Sequence, residues 1–123
     1  MPNPNFVILY VDDPTASAAF YADLLGREPV EASPNFAMFP LNGEVMLGLW
    51  SRRTVEPAAT VPSGSGEIAI TVAGKDAVRN VHEDWSRRGL HIAQAPVDLD
   101  FGHSFVALDP DGHRLRVFAP AAP

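Results

Sequence analysis

Cysteine is absent from this chain of 123 residues, which excludes disulfide scaffolds, thiolate zinc sites and cysteine nucleophiles. Long apolar runs are also missing, since none approaches the ~20 residues that a membrane-spanning helix needs. The start of the chain shows neither the basic stretch nor the apolar stretch of a signal peptide. We therefore expect a cytoplasmic protein that does not associate with a membrane.

Positive charge is scarce as well. Nine Lys and Arg residues face fifteen Asp and Glu residues, and the resulting net charge of −6 would repel nucleic-acid phosphates. The overall composition is typical of a globular protein, with 46% hydrophobic and 20% charged residues. We expect one domain over residues 1–123, because single domains commonly contain roughly 100–150 residues.

The chain divides into two modules with the same order of elements. In the first module, at about residues 5–50, a helix is predicted to begin after Asp13, which caps it, and to end at Gly26. Apolar runs predict strands at Phe6–Val11, Glu28–Ala32, Phe36–Leu41 and Glu44–Trp50, with a hairpin turn at Asn42-Gly43.

A linker rich in Pro, Ser and Gly, at residues 51–65, leads to the second module at about residues 66–119. Asp76 is predicted to cap its helix, which ends at Gly89. The remaining predictions are strands at Glu67–Val72, His91–Ala95, His103–Leu108 and Arg114–Phe118, a buried helix stripe of Val78, Val81 and Trp85, and a turn at Asp109–Gly112. One strand, one helix and three strands thus occur twice, which indicates an internal duplication.

Two motifs link this pattern to a known group of proteins. Val11-Asp12-Asp13 leads into the segment Phe20–Gly26, and Asp109–His113 follows in the second module. In this order they resemble the motifs of the vicinal oxygen chelate superfamily, which includes glyoxalase I, bleomycin-resistance proteins and ring-cleaving dioxygenases. The resemblance implies an α+β fold in which two βαβββ modules form a cupped mixed sheet. It also implies a homodimer, since short chains of this group usually pair.

The resemblance further identifies four positions at which the enzymes of the group hold a divalent metal. On this chain they fall at Phe6, Gly48, Glu67 and Arg116. Phenylalanine and glycine offer no donor atom, and arginine is permanently cationic. Because only Glu67 could bind a metal, we expect neither a metal ion nor another cofactor.

Within the superfamily, the chain is most similar to the phenazine-antibiotic resistance proteins. The stretches that carry this likeness are Phe39-Pro40, Leu49–Ser51, Glu56-Pro57, Glu67-Ile68, and Phe101–Phe105 together with Arg116. The likeness implies a metal-free protein that binds a planar aromatic compound, such as a phenazine-like antibiotic, and lowers its free concentration.

Strand alternation separates two faces and indicates which side chains meet such a ligand. One face of each module is aliphatic and is expected to pack on the helix. The other collects aromatic and charged residues, as ligand pockets do: Phe6, Tyr10, Met46, Gly48, Trp50, Glu67, Phe101, Phe105 and Arg116. Trp50 is expected to stack on the ligand, and Gly48 to leave a slot for it. Glu67 and Arg116 are expected to form a bidentate pair, from which Arg116 could also reach a ligand carboxylate.

Other interpretations stay open at this point. Trp50 could simply pack in a core or a dimer interface. The chain could be a metal-dependent lyase, transferase or oxidoreductase of the glyoxalase or dioxygenase type, with His103 and Glu67 as ligands. It could also be a metal-free enzyme with Glu67 as its base, although no set of catalytic residues stands out by spacing.

Overall fold

The computed structural model describes residues 4–121. Its elements are β1 (Phe6–Val11), α1 (Pro14–Leu25), β2 (Glu31–Ala32), β3 (Phe36–Pro40), β4 (Met46–Ser51), β5 (Glu67–Thr71), α2 (Lys75–Arg87), β6 (His91–Leu99), β7 (Gly102–Leu108) and β8 (Arg114–Pro120). The predicted order of one strand, one helix and three strands is present twice. The predicted α+β class with two βαβββ modules is confirmed.

The strands form two four-stranded mixed sheets, in the orders β1-β4-β3-β2 and β5-β8-β7-β6. In each sheet the first strand runs parallel to the last strand of its own module, and the other pairs are antiparallel. The chain forms two compact units that divide between Ser63 and Gly64. The linker was predicted at residues 51–65. In the structure, Ser51 belongs to β4, and the segment without helix or strand covers residues 52–66.

Helix α1 begins and ends as its sequence predicts. The Asp13 carboxylate accepts hydrogen bonds from the backbone N–H groups of Thr15 at 3.1 Å and Ala16 at 3.3 Å, which satisfies two donors at the helix start. Gly26 ends the helix with φ of 65°, the left-handed conformation that glycine adopts without strain. The helix buries Ser17, Ala18 and Tyr21.

The predicted cap of helix α2 is wrong. Gly74 occupies the N-cap position and no side chain caps the helix, so Asp76 lies within the first turn. There its carboxylate is 3.8 Å from the Arg79 guanidinium, and its negative charge favours the positive end of the helix dipole. Of the predicted stripe, Val78 and Trp85 are buried, whereas Val81 is half-buried.

The connection between β3 and β4 differs from the predicted two-residue turn. Leu41 and Val45 pair across it, because the Leu41 N–H donates to the Val45 carbonyl at 2.8 Å. Three residues therefore lie between the paired positions, and the register places Phe36 opposite Trp50. Strand β2 is reduced to Glu31–Ala32.

Strand β6 is four residues longer than the predicted strand and lies at the edge of its sheet. Its pairing with β7 shifts register twice, between Ile92 and Gln94 and between Gln94 and Val97. Pro96 lies in the second shift, which agrees with the preference of proline for edges and bulges, since it cannot donate to the ladder. The extension adds Val97 and Leu99 to the sheet.

Each sheet buries most of the face that alternation predicts to be aliphatic, although Val7 of the edge strand β1 is 46% exposed. Leu9, Phe39 and Leu49 are buried in the first unit, and Leu115 and Val117 in the second. In the second unit the Trp85 ring of α2 packs edge-on against Phe105, at 5.5 Å between ring centroids. We call the opposite, helix-free face of each sheet the open face of its unit. Within residues 4–121, no helix is long and apolar enough to cross a membrane.

Candidate ligand-binding site

The open face of the first unit carries a continuous aromatic surface. Its register places Phe6 opposite Met46, Ile8 opposite Gly48, and Tyr10 opposite Trp50. Phe6 remains 41% exposed and Tyr10 38% exposed. Open sheet faces usually carry polar side chains, so the exposed rings at these positions form an apolar patch of the kind found at interaction surfaces.

The aromatic rings of this face contact one another. The Phe36 ring lies 5.9 Å from the Trp50 ring with an interplanar angle of 85°, and 6.4 Å from the Phe6 ring with an angle of 39°. The contact between Phe36 and Trp50 is edge-to-face, a packing that favours fixed ring orientations, whereas Phe6 is only tilted against Phe36. The Trp50 indole is half-buried, and one of its neighbours is the edge of Phe36.

Gly48 does not leave the predicted empty slot. A Cβ atom at this position would lie 2.8 Å from Cε1 of Phe6 and 3.0 Å from Cζ of Phe36. These two rings therefore occupy the space that the missing side chain provides. Gly48 allows the aromatic surface to lie close to the backbone, and a planar ligand would meet the rings rather than the strand.

The open face of the second unit is built around an ion pair. Nε of Arg116 donates to Oε2 of Glu67 at 2.9 Å, and Nη2 donates to Oε1 at 3.2 Å, which is the bidentate geometry predicted from the sequence. Nη1 donates to Oγ of Ser104 at 3.0 Å. The side chains of Arg116 and Glu67 are 16% and 36% exposed, respectively. Three of the five guanidinium N–H groups are thus used by side chains that the structure describes, and two remain for a bound group.

One aromatic ring lies against this guanidinium. The Cζ atom of Arg116 lies 5.5 Å from the centroid of Phe101, within the range of a cation–π contact. Phe101 is 45% exposed and packs edge-on against Phe118 at 5.6 Å. Beside them is a depression of ≈ 270 Å³ lined by Ala93, Gln94, Leu99, Phe101, Val106, Arg114 and Arg116. This face combines apolar walls with fixed positive charge.

Two residues considered for the site lie on the buried side of the second sheet. Phe105 was predicted to contact the ligand, but it is fully buried against the rings of His82 and Trp85 and is not accessible on the open face. It pairs with Val117, whereas Arg116 pairs with Val106 on the other face. His103 shares the buried face with Phe105 and is 7% exposed. It therefore does not point to the same face as Glu67, as a shared metal would require.

The residues at the four predicted metal positions do not fit a divalent ion. Both oxygens of Glu67 accept hydrogen bonds from the guanidinium of Arg116, whose permanent positive charge would repel a cation. Phe6 and Gly48 provide no donor atom. In the part of the chain that the structure describes, no three His, Cys, Asp or Glu side chains are grouped closely enough to hold a metal.

Sequence reasoning did not single out Phe36, Ser104 or Phe118. Alternation places Phe118 on the same strand face as Arg116, but it was not among the predicted ligand contacts. Ser104 pairs with Phe118 across β7 and β8, which only the register reveals. Phe36 reaches Trp50 because of the three-residue connection between β3 and β4.

A second depression lies in the first unit, between α1 and the segment of residues 28–34. It measures ≈ 410 Å³ and is lined by Pro14, Thr15, Ala18, Ala19, Ala22, Glu28, Pro29, Ala32, Ser33 and Pro34. Although it is larger, it offers no aromatic ring and no cationic side chain. The open faces are therefore the stronger candidates for a planar or anionic ligand.

Comparisons with known proteins agree with this fold. The family model of the Glyoxalase/Bleomycin resistance protein/Dioxygenase superfamily matches residues 3–117. The phenazine antibiotic resistance protein EhpR of Enterobacter agglomerans is 32% identical over 117 residues, which cover 93% of this chain and 89% of that protein.

Two solved structures are also similar over nearly the whole chain. The solution NMR structure of protein ATC0852 from Agrobacterium tumefaciens is 49% identical with a TM-score of 0.89, and the match covers 99% of this chain and 100% of the other. A glyoxalase/bleomycin resistance protein/dioxygenase from Nocardioides is 27% identical with a TM-score of 0.81, covering 98% and 84% of the two chains.

Proposed function

Because the chain belongs to the Glyoxalase/Bleomycin resistance protein/Dioxygenase superfamily, we propose that it binds a planar aromatic small molecule without a metal ion. The observation that carries the proposal is the exposure of aromatic rings on the open sheet faces, with Phe6 41% and Phe101 45% exposed. The likeness to the phenazine antibiotic resistance protein supports a phenazine-like antibiotic as the ligand. Binding would protect a cell by lowering the free concentration of the drug.

The second open face supplies two complementary interactions. A planar ring in the depression would meet the apolar surfaces of Leu99, Phe101 and Val106, and burial of apolar area contributes about 25 cal/mol per Å². Stacking on an aromatic ring adds about 0.5–1.5 kcal/mol. A carboxylate on the ligand would accept from the two remaining N–H groups of Arg116, and charge-assisted bonds of this type are about twice as strong as neutral ones.

The first open face offers stacking without charge. The Phe36 and Trp50 rings hold each other by edge-to-face packing, so little conformational entropy is lost when a ligand covers them. Each face is a candidate by itself, and the experiment must distinguish them.

The test is a titration with phenazine-1-carboxylate by isothermal calorimetry, with Trp50 emission recorded in a Trp85→Phe background. We expect saturable binding near one ligand per chain. Arg116→Met would weaken it if the second face binds the ligand, and Trp50→Leu would weaken it if the first face does. Arg79→Met, which removes an exposed arginine of α2, is the matched control. No binding up to the solubility limit would refute the proposal, and metal analysis of the same preparation tests the metal-free part.

We further propose that the protein is a cytoplasmic homodimer. Strand β1 lies at the edge of its sheet, and Phe6, Val7 and Ile8 are each more than 40% exposed. Apolar strands at an open edge are normally covered in soluble proteins. Equilibrium sedimentation should therefore give twice the 13.3 kDa mass of one chain, and the mass of a single chain at micromolar concentration would contradict pairing.

A further inference from the structure

We infer that Asp98 and His103 are positioning residues for the second open face, because their hydrogen bond orients the turn that carries Phe101. The inference rests on the proposed function, since it concerns the same face. Neither residue lies among those proposed to touch the ligand. They act from the opposite side of the sheet, through the connection between β6 and β7.

This connection is a tight hairpin. Leu99 pairs with Gly102, so only Asp100 and Phe101 form the turn. The next pair along the hairpin is Asp98 with His103. Nδ1 of His103 lies 2.8 Å from Oδ1 of Asp98. A side-chain bond between directly opposed residues joins the two strands of a hairpin, and here it does so one residue pair from the turn.

The bond to Asp98 fixes the orientation of the His103 ring. His103 is 7% exposed, and its Nε2 atom is buried with no hydrogen-bond partner in the described structure. An ionised carboxylate only accepts hydrogen bonds, so the geometry assigns the proton of the imidazole to Nδ1. Without Asp98, the buried ring would have no polar contact to hold it.

The carboxylate of Asp98 is in turn held by Lys75, the first residue of α2, at 3.2 Å. The hydrogen bond from His103 and, next, that from Lys75 lower the pKa of Asp98. The carboxylate therefore stays ionised at neutral pH. It links the turn to both β7 and the start of α2.

Further contacts hold the turn on its side toward the second open face. The Phe101 carbonyl accepts from the Ala121 N–H at 2.8 Å. Gly102 has φ of 151°, and a Cβ atom there would lie only 2.1 Å from the Ala119 carbonyl oxygen, so the backbone lies directly on β8. With the turn confined from both sides, the Phe101 ring stays 5.5 Å from Cζ of Arg116.

The test measures the turn and the ligand separately. Amide hydrogen exchange in the ligand-free protein reports the turn at residues 99–102, and calorimetry reports the affinity for phenazine-1-carboxylate. For His103→Leu we expect exchange to be at least about fivefold faster and affinity to fall at least about fivefold, because only the hydrogen bond is lost from an otherwise apolar position. His103→Asn keeps an amide donor near the position of Nδ1 and should restore both values to within about twofold of the wild type.

Asp98→Ala provides a second variant at an exposed position, where misfolding is not expected. It should reproduce the effects of His103→Leu, whereas Lys75→Met removes only the ion pair, keeps the hydrogen bond of His103, and should change both values by less than Asp98→Ala does. Equal behaviour of His103→Leu and His103→Asn, or unchanged exchange in Asp98→Ala, would overturn the inference. Failure of the wild type to bind phenazine-1-carboxylate would instead refute the proposed function, and the exchange rates would still decide whether the pair positions the turn.

Discussion

Replacing Glu67 with glutamine is expected to strengthen the binding of an anionic aromatic ligand. In the wild type, the guanidinium of Arg116 is neutralised by Glu67 through bonds of 2.9 and 3.2 Å. A ligand carboxylate at the remaining N–H groups would be repelled by the Glu67 carboxylate. Glutamine has nearly the same shape and still accepts one hydrogen bond from Arg116, so Glu67→Gln removes the repulsion while keeping the guanidinium in place.

The size of the effect follows from Coulomb's law. Two carboxylates bound to neighbouring edges of one guanidinium lie roughly 6 Å apart, and their repulsion is about 0.7 kcal/mol in water and about 3 kcal/mol at an effective dielectric constant of 20. The Glu67 side chain is 36% exposed, which places the value near the lower limit. We therefore expect a gain of about 1 kcal/mol, or about fivefold tighter binding.

The assay compares phenazine-1-carboxylate with neutral phenazine by calorimetry at low salt. Only the anion should bind more tightly to Glu67→Gln, and the gain should shrink at higher ionic strength because salt screens the repulsion. Glu31→Gln on β2 is the matched control, since it removes the same charge from an exposed position in the first unit. The reasoning fails if Glu67→Gln leaves the affinity for the anion unchanged, or if it strengthens the anion and the neutral ring equally.

Two further changes test packing and protonation. Gly48→Ala would place a Cβ atom 2.8 Å from Phe6, so the rings must shift. Because the Phe6 ring can move into solvent, the free energy of unfolding should change by less than about 1 kcal/mol. The emission of Trp50 should change in a Trp85→Phe background, and an unchanged spectrum would show that the rings do not cover Gly48. For Asp98, the lowered pKa means that its ionised form stabilises the fold above its unfolded-state pKa, and this contribution is lost as the pH falls through its folded-state pKa. The gap in urea midpoint between the wild type and Asp98→Ala should thus narrow between pH 5 and pH 2, and a constant gap would contradict the assigned interaction.

The features that the sequence predicts well depend on local chemistry. Alternation along single strands separates the buried face from the open face in both units, and it places Arg116 on the side opposite Val117. The cap at Asp13 and the end at Gly26 are determined by residues within one helical turn. Such signals need no knowledge of which strands pair.

The features that it misses depend on pairing between strands. A two-residue turn at Asn42-Gly43 would set Phe36 opposite Leu49, whereas the three-residue connection sets it opposite Trp50. A shift of one residue moves every side chain of a strand to the other face, so one extra turn residue decides whether Phe36 joins the aromatic surface. The extension of β6 was missed because Pro96 is a strand-breaking residue in isolation, although an edge strand tolerates it.

Glu67 and Arg116 occupy two of the four predicted metal positions. Their ion pair is the reason why a metal does not fit there, and it is also the basis of the proposed ligand chemistry. Arginine brings to this position a positive charge that no change of pH in the physiological range removes. Unlike a metal ion, it presents that charge as a flat set of N–H donors, and the bonds to Glu67 and Ser104 fix its plane. Phe101 covers one part of this plane. A guanidinium held in this way favours a flat anion whose ring and carboxylate lie in one plane, because such a ligand can meet the donors and the neighbouring aromatic surface together.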